Sequence, residues 1–146
     1  MYKRILVTVD GSANAAHALQ HAAGLARGLS ATLRLIHVVD MGLMPYGPEL
    51  GIDIDALLEA RYAASEKLLA DARDSVQAPG IAVETKLVDT ALPTVHVATT
   101  IAEAAASWPA DLVVLDKDPL QTPPEGIPEI KVKMTLVGGR IVYDAR

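Results

Sequence analysis

The sequence predicts an α/β fold with an open, mostly parallel, doubly wound sheet. Three observations carry this expectation. Short β-branched apolar runs alternate with longer stretches of helical periodicity, which implies strands joined by crossover helices. The first run, Ile5-Leu6-Val7-Thr8-Val9, is apolar throughout and bounded by turn residues, as in a strand buried on both faces. It ends at once in Asp10-Gly11-Ser12, so an acid sits at the carboxyl end of a central strand, where such sheets place their ligands.

The elements follow in order. Ser12 is the expected N-cap of a helix from about Ala13 to Leu29, with Ala15, Ala16, Leu19, Ala22, Ala23 and Ala26 as its buried stripe. Thr32 to Val39 forms the second strand, again ending in an acid, Asp40. Met41 to Gly51 is a loop dense in Gly and Pro. In a helix capped near Asp53, Ile54, Leu57, Leu58, Arg61, Tyr62, Ser65, Leu68, Leu69, Ala72 and Val76 step along one face, until Ala78-Pro79-Gly80 stops it. Ile81 to Val88 is a third strand with the looser pattern of an edge. Pro93 fits the first turn of a helix that reaches Ser107, and Pro109 keeps Trp108 out of helical geometry. Asp111 to Asp116 is the fourth strand. Right-handed crossovers favour the order 3-2-1-4, with the switch point between the first and fourth strands.

The alternation then breaks. Lys117 to Ile130 holds four prolines, and Lys131 to Tyr143 is two β-rich runs around Gly138-Gly139. Two glycines between such runs predict a hairpin, with Leu136 facing Ile141 and Met134 facing Tyr143. The chain is expected to be one domain over 1–146, with 117–146 an atypical extension.

Composition narrows the function. With 146 residues the chain can bury a core, and with one Trp, four Tyr and no Phe that core is aliphatic and alanine-rich. A net charge of −5 without a basic cluster excludes a nucleic-acid surface. No run is long enough for a membrane span and none has the layout of a signal peptide, so a cytoplasmic protein is expected. The absence of Cys excludes disulfides and thiolate metal sites. Asp10 is the site candidate, weighed against a role in capping the following turn. Ser12 lacks a nucleophile elbow and reads as a cap. His17 and His21 share a helix face without an acidic partner, His37 reads as a satisfied sheet histidine, and His96 has no evident partner. No metal site and no catalytic residue are expected.

Residues 2 to about 115 resemble the universal stress protein family. The resemblance rests on YKRILVTVDGS at the start, LARGLSATLRLIHVVD through the second strand, the long loop and helix, and ADLVVLD in the fourth strand. It implies a small cytoplasmic, adenine-nucleotide alpha-hydrolase-like (Rossmann-like) domain, generally a homodimer, acting in stress response or signalling without catalysis. Many members bind ATP. By the resemblance, Asp10 matches the acid that reaches the nucleotide, Val38 and Val39 match the strand end lining the adenine pocket, and Thr8 and Val9 form the nearby wall. The family's phosphate loop follows the fourth strand as G-x-x-G, nine residues, then G-[S/T], so that glycine N–H groups and a helix start meet the phosphates. This sequence reads Asp116-Lys117-Asp118-Pro119 there, with an isolated Gly126. The departure implies that ATP binding is weakened or lost, and no cofactor is required; ATP or another adenine nucleotide is the ligand to test.

Ala110 to Ala145 is similar to the C-terminal segment of the amidohydrolase superfamily, through its DP, Pro-Pro-Glu and VGGR-VY elements. There the segment belongs to a small β-domain beside the catalytic barrel, which holds the metal ligands, so no catalytic residue carries over. The chain therefore reads as composite. The rival readings are a metal-dependent amidohydrolase-related enzyme fragment and a chimeric structural or interaction module with no ligand. A homodimer through the C-terminal hairpin is expected, because a strand edge beside the fourth strand must be paired or covered.

Overall fold

Ile5, Leu6 and Val7 are completely buried, and they form the middle of β1 (Arg4–Thr8). In the computed structural model, which describes residues 2–43, 51, 53–114, 135–137 and 140–142, β1 is flanked on both sides. It pairs in parallel with β2 (Thr32–Val39) and with β4 (Leu112–Val114). Beyond β2 lies β3 (Ala82–Asp89), also parallel. The parallel strands stand in the order expected from sequence, 3-2-1-4. Two three-residue strands, β5 (Thr135–Val137) and β6 (Arg140–Val142), extend the sheet past β4 in antiparallel sense, with Leu136 beside Ile141 and Val137 beside Arg140. The Gly138-Gly139 turn, the linker from 115 to 130, and Val132, Met134 and Tyr143 lie outside the described residues.

The helices divide between the two faces as handedness requires. Stepping outward from β1 to β2 to β3 by right-handed crossovers puts α1 (Ala13–Leu29) and α2 (Ile54–Val76) on one face. The return from β3 to β4 puts α3 (Val97–Ser107) on the other. The strand period of two then sorts the core. Ile5, Val7, Val9, Leu33 and Leu35 meet α1 and α2, while Leu6, Ile36 and Val113 meet α3.

Most elements follow the sequence, and the departures have local causes. The Ser12 hydroxyl caps α1 by accepting from the Ala15 N–H at 3.1 Å, and the Asp53 carboxylate caps α2 by accepting from Ala56 N–H at 3.0 Å. The buried stripe of α1 includes Ala18 rather than Ala16, which is exposed. Spacing of three and four from Ala15 runs through Ala18 and Leu19, so Ala16 turns away from the sheet. On α2 only Ser65, Leu69 and Val76 are fully buried, and the rest of the expected stripe is half-buried. Pro93 does not open α3: that helix begins at Val97, with His96 as an N-cap that makes no side-chain capping bond. The intervening chain turns first, with Leu92 N–H donating to the Thr90 carbonyl at 2.6 Å and Val95 N–H to the Leu92 carbonyl at 3.1 Å. Trp108 is the C-cap of α3 at φ −98°, ψ 12°, out of the helix but short of the extended geometry that a following proline favours. Its ring lies 4.2 Å from the Arg34 guanidinium, which also grips Glu84 through two hydrogen bonds. Among the described residues, no helix is long and apolar enough to cross a membrane.

Asp111 precedes β4 instead of belonging to it. Its Oδ2 accepts the N–H groups of Lys3 (2.8 Å) and Arg4 (2.9 Å), which pins the start of β1 to the start of β4. These two backbone donors, first Lys3 and then Arg4, hold its carboxyl below the usual carboxylate range. A lowered folded-state pKa means the stabilisation is complete above the unfolded value, about 4, and is lost as pH falls through the folded value. Asp111→Ala should therefore cost about 1 kcal/mol or less at neutral pH, given its solvent-facing position. Urea denaturation of the two proteins should converge as pH falls through that folded-state value. A difference that persists unchanged in acid would assign Asp111 another role.

Ala91 adopts φ +58°, the left-handed region. Glycine does so without the steric penalty of a Cβ, whereas an L-residue loses about 1–2 kcal/mol there. The strain is held by the 2.6 Å Leu92-to-Thr90 bond and by the Asp89 carboxylate, which accepts the Ala91 N–H at 2.8 Å. Ala91→Gly should raise stability by about 0.5–1 kcal/mol, since glycine's larger unfolded-state entropy offsets part of the relief. The urea midpoint should rise at an unchanged slope; an unchanged or lower midpoint rejects the strain.

Candidate functional site

The parallel strands β1, β2 and β3 end in the same device. Asp10, Asp40 and Asp89 each accept, through Oδ1, the backbone N–H two residues on: Ser12 at 2.9 Å, Gly42 at 2.8 Å and Ala91 at 2.8 Å. This is the Asx-turn, which reverses the chain after a strand and uses the acid as a structural acceptor. The capping role weighed for Asp10 is thus present. Its neighbours distinguish it, because Asp10 stands on the strand shared by β2 and β4, at the switch point.

At that end the two central strands separate. Val9 N–H still donates to the Ile36 carbonyl at 2.9 Å. The Val9 carbonyl is taken by the imidazole of His37, with Nδ1 2.7 Å away. A carbonyl only accepts, so Nδ1 carries the proton. The peptide phase of β2 follows from its bonds: Thr32 N–H and Ile36 C=O bond the β1 side, while Val39 C=O accepts Thr90 N–H on the β3 side. Alternation in a parallel ladder then directs the N–H and C=O of Val38 towards β1, past the point where β1 turns away. A donor and an acceptor on one residue thus point past the end of β1, beside the Asp10 turn, where open α/β sheets have their crevice.

The residues singled out by sequence are thus only partly brought together. Thr8, Asp10 and Val38 are half-buried around the crevice. Val9 contributes its backbone, while its side chain belongs to the core under α1. Val39 is buried to 1% exposure and its carbonyl faces β3, so it supports the crevice from behind. Gly11 is fixed in place: its φ is +83°, and a Cβ there would come within 3.1 Å of Leu68 Cδ1.

The rim beyond β2 is stitched to β3. Buried Thr90 accepts the Met41 N–H on its hydroxyl at 3.0 Å. Tyr62 donates its hydroxyl to Asp89 Oδ2 at 2.7 Å. That hydrogen bond, then burial and the negative charge of Asp89, push the Tyr62 phenol above its ordinary pKa.

Sequence reasoning missed two features. His37 was expected to be satisfied within the sheet, and it is, yet its partner is the carbonyl beside Asp10. Periodicity shows that a strand position is polar but not which neighbour it bonds. The second is an open groove of about 470 Å³ that starts at Val9, Gly11 and Ser12 and runs between α1 and α2 over Ala15, Ala64 and Leu68. Alanines on both helices leave it underfilled. His17 and His21 are exposed on α1, and among the described residues no three His, Cys, Asp or Glu groups are placed to hold a metal ion.

Comparison with known proteins places this geometry. No curated protein matches the chain significantly. Residues 105–143 match the Amidohydrolase family, a short stretch at the end of the chain. A protein of the universal stress protein family from Burkholderia pseudomallei shares 34% identity, over 80% of this chain and 82% of that one, with a TM-score of 0.68. The universal stress protein UspA from Lactobacillus plantarum shares 27% identity, over 77% of this chain and 74% of its own, with a TM-score of 0.62. A universal stress protein solved in complex with cAMP shares the fold at 20% identity, over 90% of this chain and 93% of its own, with a TM-score of 0.54. Residues 1–119 match the Universal stress protein family, and the chain belongs to that family.

Proposed function

We propose that this chain is a non-catalytic, cytoplasmic universal-stress-protein domain that reads an adenine nucleoside at the ends of β1 and β2, with triphosphate binding weakened or lost. The observation that carries the reading is the Val38 peptide, whose N–H and C=O face the crevice beside Asp10. Adenine offers a matching acceptor and donor on its Watson–Crick edge. The Asp10 carboxylate suits ribose hydroxyls. Thr8 and the Val9 backbone would form the wall, with Val39 behind it.

The phosphate end is chemically different. Anion sites need glycines that bring backbone N–H groups close, and a helix start that adds its dipole. After Leu115 the sequence instead supplies Asp116 and Asp118, with Lys117 as a single cation. Two carboxylates would repel a phosphate chain. Calorimetric titration should therefore give adenosine an affinity equal to or better than that of ATP, with AMP and cAMP as comparison ligands. Asp10→Ala should weaken adenosine by about 1–3 kcal/mol, the usual loss for a hydrogen bond to a charged group. Tight ATP binding that exceeds adenosine would overturn the reading, and an unchanged Asp10→Ala affinity would leave Asp10 purely structural.

The match of residues 105–143 to the Amidohydrolase family supports a composite chain, whose foreign tail completes the sheet in place of the phosphate loop. We assign the tail to self-association, not to catalysis. The edge of β6 offers main-chain donors and acceptors to a second copy, and a two-fold axis would satisfy both at once. Ile141→Lys should shift the protein towards monomer in size-exclusion chromatography with light scattering. A native protein that is monomeric at micromolar concentration would reject this contact.

A further inference from the structure

We infer that His37 is a positioning residue that keeps the Val38 peptide available to a ligand by occupying the Val9 carbonyl. The inference rests on the nucleoside reading for its purpose, but its physical content stands on the strand geometry alone.

The parallel ladder between β1 and β2 has a fixed rhythm. Thr32 N–H donates to the Lys3 carbonyl at 2.8 Å, and Val9 N–H donates to the Ile36 carbonyl at 2.9 Å. In that rhythm the next rung runs from Val38 N–H to the Val9 carbonyl. The His37 imidazole reaches the oxygen first, with Nδ1 at 2.7 Å. Asp10 and Gly11 then turn away, with Gly11 at φ +83°. The ladder is thereby stopped one rung early, by a side chain of β2 itself.

The exchange matters because a strand end tends to zip. Where a donor and acceptor of adjacent strands can meet, they do, and a ligand would then have to break that bond before making its own. Satisfying the Val9 carbonyl with an imidazole removes the incentive. His37 is half-buried, on the sheet face that carries α1 and α2, so it need not enter the crevice to act.

The test uses amide hydrogen exchange of Val38 in the ligand-free protein, followed by NMR, alongside adenosine titration. In the native protein Val38 should exchange about fivefold or more faster than Ile36, the factor that one net hydrogen bond supplies. His37→Phe keeps a ring but has no donor, so Val38 should gain about fivefold protection as the rung closes. His37→Asn places an amide N–H near the position of Nδ1 and should restore the native exchange. Adenosine affinity should fall about tenfold in His37→Phe and recover in His37→Asn. A purely structural His37 would lower overall stability without this selective gain at Val38. Val38 as protected as Ile36 in the native protein would overturn the inference, even if His37→Phe fails to fold. Unchanged Val38 exchange in a folded His37→Phe would do the same. If the exchange pattern appears while native protein binds no adenosine, His37 keeps its role and the nucleoside reading falls.

Discussion

The whole arrangement depends on β1 being sandwiched in parallel between β2 and β4. Ile5, Leu6 and Val7 have no exposed surface, so both faces and both edges of this strand are committed. A fully apolar run satisfies the faces, and the neighbouring strands satisfy the N–H and C=O groups. Once β1 is fixed, handedness assigns α1 and α2 to one face and α3 to the other. Where β1 stops, β2 runs on past it. The peptide phase of β2 then decides that Val38, not Val39, faces that end of the sheet.

The three Asx-turns show how a structural rule and a site can share residues. Asp10, Asp40 and Asp89 each turn the chain by the same bond, so the bond alone cannot mark a site. Context separates them. Asp89 spends its second oxygen on the Tyr62 hydroxyl, and it sits at the outermost parallel strand. Asp40 leads into a single 3-10 turn at Met41–Leu43. Asp10 stands at the end of β1, the strand shared by β2 and β4.

Much of the fold was legible because its signals are local and repeated. The apolar runs, the caps at Ser12 and Asp53, and the alternation of strands and helices each pointed the same way. The order 3-2-1-4 followed from chirality. Less legible were features set by a neighbour distant in sequence. Pro93 has the right chemistry for a helix start, yet the strained turn at Ala91 and the bond from Val95 to Leu92 delay α3 to Val97. Ala16 carried the same composition as its buried neighbours but a different helical angle. The imidazole of His37 looked like any polar residue in a strand, because the Val9 carbonyl it bonds is 28 positions away.

The alanine-rich composition ties the site to the groove beside it. With no Phe in the chain, α1 approaches the sheet through Ala15, Ala18, Ala22, Ala23 and Ala26, all buried. Small side chains permit close approach to the strands but fill little space between neighbouring helices. The gap opens between α1 and α2 and begins at Val9, Gly11 and Ser12, on either side of and within the Asp10 turn. Leu68 closes on Gly11 from α2, where an added Cβ would come within 3.1 Å of Leu68 Cδ1. Gly11 is thus constrained from two sides, by its left-handed backbone and by Leu68, and it carries that constraint into the Asp10 turn. The orientation of the Asp10 carboxylate is therefore set by helix packing as much as by the strand that bears it.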